Sequence, residues 1–568
     1  MAGLNMEKAP AIVILGPGSL VTAQRIQRRY PHAIIHGLQG RVEAVDSCYD
    51  NFGETLRQLY RQGSPIIALC AAGIVIRSLA GVLAEKGVEP PVLAVAEDGS
   101  AVVPLLGGLG GVNVMAREIG QALDVAPAIT TSGELRFGTC LLNPPPGYLL
   151  ADLEQGKRFV SDLLAGESVR VHGDAPWLAQ AQLPEDQTAQ RSIHVGCEAR
   201  PASRDELLIH ARCVVVAVEG AGAGVVERVR WGLQKAGIAE QSLACLLADE
   251  QAMADQALQE AAQTLGIELR FAAMGSGLAE MAAAAVPGAR LIEQDGVVLA
   301  VAAAPADAQQ VGRRRGRLAV IGLGPGAAEL MVPAVKAELA RAQDVLGYET
   351  YVRMAGPFRE DQVLHCTDNR EEMQRARHAF ELAALGRSVV VVSSGDPGVF
   401  AMAAAVLEAL HESSDPAWHQ VDLEILPGVS ASLATAAQAG APLGHDFCVM
   451  SLSDNLKPWS IIERRLDLAA QADLVLAFYN PISRARPWQL GRALDIVRQH
   501  RDGQTPVVLG RDIGRPGQTL RVVTLAELVP EMVDMRTMVL VGSSTTCRFE
   551  RSGGGEWVYT PRWYGTRP

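Results

Sequence analysis

The sequence predicts an α/β protein made of several wound modules, and two observations carry that prediction. Short apolar runs rich in valine and isoleucine recur along the whole chain, among them AIVIL at 11–15, VVVAV at 214–218, VVVV at 389–392 and LVLA at 474–477. Four to six such residues, bounded by turn formers and followed by a stretch with helical spacing, read as buried strands alternating with helices. Glycine-rich loops also follow the runs closely, at the strand ends where open α/β sheets bind their ligands.

The elements follow in chain order. AIVIL leads into Gly16-Pro-Gly18 and a helix around 19–29; PIIALC (65–70) leads into the helical stretch AAGIVIRSLAGVL. The stretch VLAVAEDGSAVVPLL alternates like a hairpin about Asp98-Gly99, a tight-turn dipeptide. The loop Gly107–Gly111 then opens the helix MAREIGQAL. These elements predict an N-terminal α/β domain over 1–140. Residues 141–204 are Pro- and Gln-rich and predict an irregular connecting module. From 205 to 306 a second α/β unit is expected, with strands at CVVVAVEG and VVLAVAAA around the helix RVRWGLQKAGI. The polar stretch 307–316, with Arg313, Arg314 and Arg315, reads as a solvated linker. The strand–helix rhythm restarts at 317 and runs to about 550, and 551–568 reads as a tail partly pinned by Trp557, Tyr559 and Trp563.

Composition narrows the function classes. A net charge of −12 argues against a nucleic-acid binder, which would carry a basic stripe. No apolar run is long enough to span a membrane and the first residues contain no signal-peptide pattern. Nine cysteines without a C-x-x-C pair read as reduced thiols, with no metal site. The expectation is a cytoplasmic protein with neither a nucleic-acid nor a membrane partner.

Four loops in the last part of the chain carry the chemistry: GLGPG at 322–326, SSGDPG at 393–398, PGVSAS at 427–432 and FYNP at 478–481. Glycine lets backbone N–H and C=O groups come close to a small molecule, so a site built largely from main chain is expected. Gly322, Gly324 and Ala327 also fit G-x-G-x-x-A, with Asp344 near the place of a ribose-binding acid; against this dinucleotide reading, Pro325 lacks the N–H that would cradle a pyrophosphate. Local structure offers an alternative for each residue. Asp396 before Pro397 suits a helix N-cap, Ser430 a cap before ASLATAAQ, Asn480 a turn, and Gly514 a plain turn.

The series GLGPG, SSGDPGVF, PGVSAS, FYNP and GRDIGR, in this order over 317–550, resembles the tetrapyrrole methyltransferase family, and within it the precorrin-3B C-17 methyltransferases. That resemblance implies two α/β domains in the C-terminal half, with a cofactor cleft between them and S-adenosylmethionine as methyl donor. It implies cofactor contacts at Pro325, Ser394, Gly395, Asp396, Val399, Ser430, Ala431, Asn480 and Gly514. The implied substrate is a precorrin tetrapyrrole, methylated at C-17 with ring contraction, and a homodimer is in keeping with the family. Loss of the C-20 hydroxyl proton invites a general base. Asp396, Asp512 and His445 are the candidates, with the hydroxyls of Ser393 and Thr545. Because the substrate carries many carboxylates and the chain is acidic, a cationic rim is expected from Arg353, Arg484 and Arg511, together with Arg370, Arg486 and Arg515.

In the N-terminal half, GIVIRSLAGVL (73–83), PLLGGLGGVNVMAREI (104–119) and PAITTSGELRFG (127–138) resemble the cobalt-precorrin-5A hydrolase family, which opens a lactone and releases a two-carbon fragment. Leu109 stands where that family commonly has histidine, and VAVEGAGAG (216–224) lacks its paired arginines. The expectation is a degenerate hydrolase serving as a binding or scaffold module. A working hydrolase using Glu97, Asp98, Glu134 or His172 is the alternative.

Overall fold

The computed structural model describes residues 9–42, 45–83, 89–201, 203–219, 224–359, 361–368 and 371–563. It divides into two compact units, Met1–Arg315 with Arg359–Asp361, and Gly316–Phe358 with Gln362–Pro568.

The first unit holds three sheets. Strands β1 (Ala11–Ile14), β2 (Ile34–Leu38), β3 (Ser47–Tyr49), β4 (Ile66–Leu69), β5 (Val92–Val95) and β6 (Val102–Leu106) form a sheet of order β3-β2-β1-β4-β5-β6. It is parallel except for β6, which turns back on β5 through the expected Asp98-Gly99 turn. Residues 141–204 are not irregular. Strands β7 (Tyr148–Leu150), β8 (Val169–His172), β9 (Arg191–Gly196) and β10 (Glu206–Ala211) make a sheet of order β7-β10-β9-β8, backed by the helix Leu153–Leu164. Strands β7, β8 and β9 have three to six residues, mostly only partly buried, and Pro- and Gln-rich loops separate them, which leaves little periodicity to read. The third sheet, β13-β12-β11-β15-β14, comprises β11 (Val214–Val218), β12 (Leu243–Asp249), β13 (Glu268–Ala272), β14 (Arg290–Gln294) and β15 (Val297–Val301). The expected solvated tether is in fact fastened to this sheet. The buried Arg270 donates to the carbonyls of Gln309, Val311 and Gly312, while Arg313 pairs with Glu250 and Arg314 with Glu268.

The second unit starts with an all-parallel sheet: β16 (Arg317–Gly322), β17 (Asp344–Tyr348), β18 (Val363–Thr367), β19 (Ser388–Ser393) and β20 (Asp422–Leu426), in the order β18-β17-β19-β16-β20. Both faces of its central strands β16, β17 and β19 are covered, so these are largely continuous apolar runs rather than alternating ones, while the edge strands β18 and β20 are more exposed. Leu318 and Val320 pack with Phe380 and Val406 on one face, and Ala319 and Ile321 with Val335 and Val392 on the other. Because the strands are parallel, all their C-terminal loops open on one side.

A two-residue strand β21 (Gly440–Ala441) leads into the second sheet of this unit. It contains β22 (Phe447–Ser451), β23 (Val475–Tyr479), β24 (Pro506–Arg511), β25 (Thr519–Thr524) and β26 (Thr537–Val541), in the order β22-β23-β26-β24-β25. The helix Ala431–Ala439, which starts from the loop after β20, lays Ala436 and Ala439 on Ala477, Val508 and Leu540 of this second sheet. One helix thus joins the two halves and brings the loop after β23 to those after β16, β19 and β20. The supposed tail is partly a strand: β28 (Glu556–Tyr559) lies between β21 and β27 (Cys547–Glu550), and Thr560 is buried, its hydroxyl donating to the Pro442 carbonyl. Residues 564–568 lie outside the described residues. No helix among the described residues is long and apolar enough to cross a membrane.

Candidate active site

The loops after β16, β19 and β20 touch backbone to backbone. Gly324 and Gly395 exchange hydrogen bonds, N–H to O at 3.1 and 2.8 Å, so the first two loops are zipped together. A Cβ on Gly322 would stand 2.4 Å from the Gly395 carbonyl oxygen and 2.8 Å from the Gly428 nitrogen. No side chain fits there. Gly395 itself has φ +70°, the left-handed region that glycine enters without penalty.

Against this backbone cradle lies a cleft of about 250 Å3, just below the usual range for small-molecule sites. It brings together Pro325, Ser394, Gly395, Asp396, Val399, Ser430, Ala431 and Asn480, drawn from all four glycine loops. Gly514 stands behind this wall: with φ +80°, it packs where a Cβ would come 2.9 Å from Pro325. The far side is supplied by Tyr479, Ile513, Met535 and Met538.

The polar groups are largely fixed. Asp396 does not cap the Ala-rich helix, which begins only at Met402. Its two oxygens accept from the N–H groups of Gly398 (2.8 Å) and Gly428 (3.1 Å), so it ties the β19 loop to the β20 loop. Ser430 does act as a cap, accepting from Leu433 N–H, and also meets Ser432. The Tyr479 hydroxyl accepts from Ser432 N–H at 3.1 Å. Asn480, at φ +49°, donates to Ser451. Asp512 is buried between two guanidinium groups, Arg511 at 3.0 Å and Arg536 at 3.4 Å.

Several expected residues do not reach the cleft. His445 precedes β22, whose opposite end carries Ser451 beside Asn480, and it accepts from its neighbour Asp446 N–H. Ser393 is buried beneath its loop, accepting from Met402 N–H. Thr545 follows β26, which begins at the cleft with Thr537 and runs away from it. Of the arginine rim, Arg353 is exposed and paired with Glu349, Arg484 is exposed away from the lining, and Arg511 pairs with Asp534 and Asp512. Arg486 is buried against the Asn480 carbonyl. Arg370 lies outside the described residues. Arg515 does line the cleft, donating to the Pro325 carbonyl at 2.8 Å and the Ser394 hydroxyl at 3.1 Å. Sequence reasoning missed Arg536 and Tyr351, which also line it and carry no glycine signature.

The dinucleotide alternative does not survive this geometry. The Gly322 loop runs into a short turn, and the next helix starts only at Pro333, so no helix N-terminus faces the glycines. Asp344 is buried and engaged by His365 at 2.9 Å and Arg387 at 2.5 Å.

Over residues 317–529 the sequence matches the family described as Tetrapyrrole (Corrin/Porphyrin) Methylases, and over 54–134 the one described as Cobalamin synthesis G N-terminal. A curated relative from Sinorhizobium sp, Precorrin-3B C(17)-methyltransferase, is 51% identical over 249 residues, covering 44% of this chain and 97% of the relative. The Mycobacterium bovis protein named Cobalamin biosynthesis protein CobIJ is 48% identical over 261 residues, 44% of this chain and 50% of that protein. Among solved structures, that of the methyltransferase CobJ is 52% identical and covers 43% of this chain and 100% of its own, with a TM-score of 0.41.

Proposed function

This chain belongs to the tetrapyrrole methylase family, and on that premise we propose that its second unit methylates precorrin-3B at C-17, with ring contraction, in the synthesis of cobalamin. The observation that carries the substrate assignment is the relative of that name, half identical to this chain over nearly its whole length. The methyl donor is S-adenosylmethionine, which supplies an already activated methyl sulfonium, so the protein is left with binding, orientation and exclusion of water.

The residues present suit that donor. A nucleoside and an amino-acid moiety call for main-chain donors and acceptors beside apolar walls, and the glycine cradle offers both. Pro325, Ser394, Gly395, Val399, Ser430, Ala431 and Asn480 would hold it, with Gly514 acting through Pro325. Asp396 serves by pinning two of these loops together rather than by contacting a reacting atom. Val399, Ile513, Met535 and Met538 keep water from the reacting centre. Fixing donor and ring carbon in line accounts for roughly 7–11 kcal/mol of barrier reduction in well-oriented systems. Arg515 and Arg536, the cationic side chains of the lining, are assigned to the carboxylates of the macrocycle.

The test is direct. Full-length protein given S-adenosylmethionine and precorrin-3B should form S-adenosylhomocysteine in step with a tetrapyrrole heavier by one methyl group. The cobalt-containing macrocycle, run in parallel, should react at least about tenfold more slowly, about 1.4 kcal/mol in barrier. Equal or faster turnover of the cobalt form would move the assignment to that substrate. No turnover of either would remove it.

A further inference from the structure

The polar groups of the cleft fall into two classes, those already engaged by the protein and those left over. Asp396, Asp512, Ser394, Ser430, Tyr479 and Asn480 are engaged, as described above. Thr537 donates to Asp534 at 2.8 Å. Two hydroxyls that line the cleft have no hydrogen-bond partner among the described residues, those of Thr435 and Tyr351. Thr435 is 1% exposed and packed against Gly510, at the floor beneath the second sheet. Tyr351 is the accessible one.

Tyr351 sits in the first turn of the helix Glu349–Ala355, directly after β17, on the side where the parallel strands open. Its ring is held edge-on to Tyr348, with centroids 5.4 Å apart, and packs against the apolar cluster under β16 and β19. The position of its hydroxyl is therefore set by packing, not by a polar partner. Burial raises its pKa above the ordinary phenol value, only partly offset by Arg515. It stays a neutral O–H donor throughout the range in which the protein would be assayed. Open to the cleft, that hydroxyl can be solvated until a ligand displaces the water, and it then becomes costly unless the ligand supplies an acceptor.

We propose that Tyr351 is a specificity-determining residue, donating a hydrogen bond to a neutral oxygen, hydroxyl or lactone, carried on the rim of the tetrapyrrole. The carboxylates of such a macrocycle are better matched to Arg515 and Arg536, which leaves the uncharged donor for an uncharged acceptor. This rests on the tetrapyrrole reading of the cleft and deepens it by naming the side chain that reads an uncharged oxygen of the macrocycle. A site built to hydrogen-bond a substrate oxygen discriminates against the analogue lacking it, because the protein's own donor is then stranded.

The experiment is a two-by-two comparison on the full-length protein. Wild type and Tyr351→Phe are each titrated with precorrin-3B and with the same macrocycle lacking the C-20 oxygen, in the presence of S-adenosylhomocysteine. Phenylalanine keeps the ring and its packing, so the variant should melt with wild type and bind S-adenosylhomocysteine equally well. Wild type should prefer the oxygenated macrocycle by about tenfold, and Tyr351→Phe should lose that preference by weakening on the oxygenated ligand alone. Equal weakening on both ligands, or a preference that survives in the variant, overturns the proposal and leaves the tetrapyrrole reading standing. If wild type binds neither macrocycle, both fall.

Discussion

Arg515 stands where two of the glycine loops meet the second sheet. Its Nε and Nη2 donate to Pro325 and Ser394, and its aliphatic stem lies over Gly326, where a Cβ would come 2.6 Å from the Arg515 Cγ. It was expected on a solvent-facing rim, yet it serves first as a clamp on the loops that would hold the methyl donor. Lysine keeps the positive charge but carries its donors on a single nitrogen, whereas arginine reaches the two acceptors from separate atoms of a rigid fork. Arg515→Lys should therefore raise the dissociation constant for S-adenosylmethionine by about tenfold, the scale of losing one charged hydrogen bond. Calorimetry checks this, with the melting temperature expected to stay within a few degrees. A variant that binds the donor like wild type would reduce Arg515 to a surface charge. The aspartates tell a similar story: residue type marked Asp396 and Asp512 as proton acceptors, but the first is spent on Gly398 and Gly428 and the second on Arg511 and Arg536.

At the scale of elements, the cleft depends on how closely three loops approach. Gly322 has an ordinary φ, so alanine there is not strained in itself; its Cβ would nevertheless meet the main chain of Gly395 and Gly428, which cannot swing aside as a side chain would. Gly322→Ala should destabilise the second unit by roughly 1–3 kcal/mol, an overpacking cost, and should abolish donor binding by parting the β16 and β19 loops. Thermal unfolding and calorimetry measure the two effects separately, and donor binding at the wild-type level would show that the loops need not touch. The glycine loops were legible because β16, β19 and β23 are buried on both faces and end at or within two residues of a glycine or asparagine, a signal contained within a few residues. The rest was illegible for equally physical reasons. Strand β21 has two residues and pairs Gly440 with Val558, more than a hundred positions away, and all four residues of β27 are exposed. Arg353 and Arg484 lie near the right motifs, but nearness in sequence does not say where a side chain points. Tyr351 and Arg536 face the cleft without any local mark.

For the whole molecule, the two units have separate interiors: each hydrophobic cluster draws its residues from one unit alone. The first unit should therefore be testable by itself, and its candidate acids and base do not converge. Glu134 is buried, with one oxygen accepting from Asn113 at 2.7 Å and the other from Arg117 at 2.6 Å. Asp98 is occupied by its own turn, accepting from Ser100 N–H and hydroxyl. Glu97 lies over the Gly18 backbone, and His172, on a different sheet, stacks on His194 at 4.5 Å. Lactone opening needs an activated water beside a donor for the developing oxyanion, held in one place. With Leu109 in the glycine loop between β6 and the helix Val112–Leu123, no side chain there can move a proton. A fragment of residues 1–315 should unfold cooperatively on heating, yet release no acetaldehyde above background from cobalt-precorrin-5A lactone. Full-length protein should behave the same way. Acetaldehyde that scales with fragment concentration, and is lost in Glu97→Gln or His172→Ala, would make the first unit a working hydrolase with a relocated base.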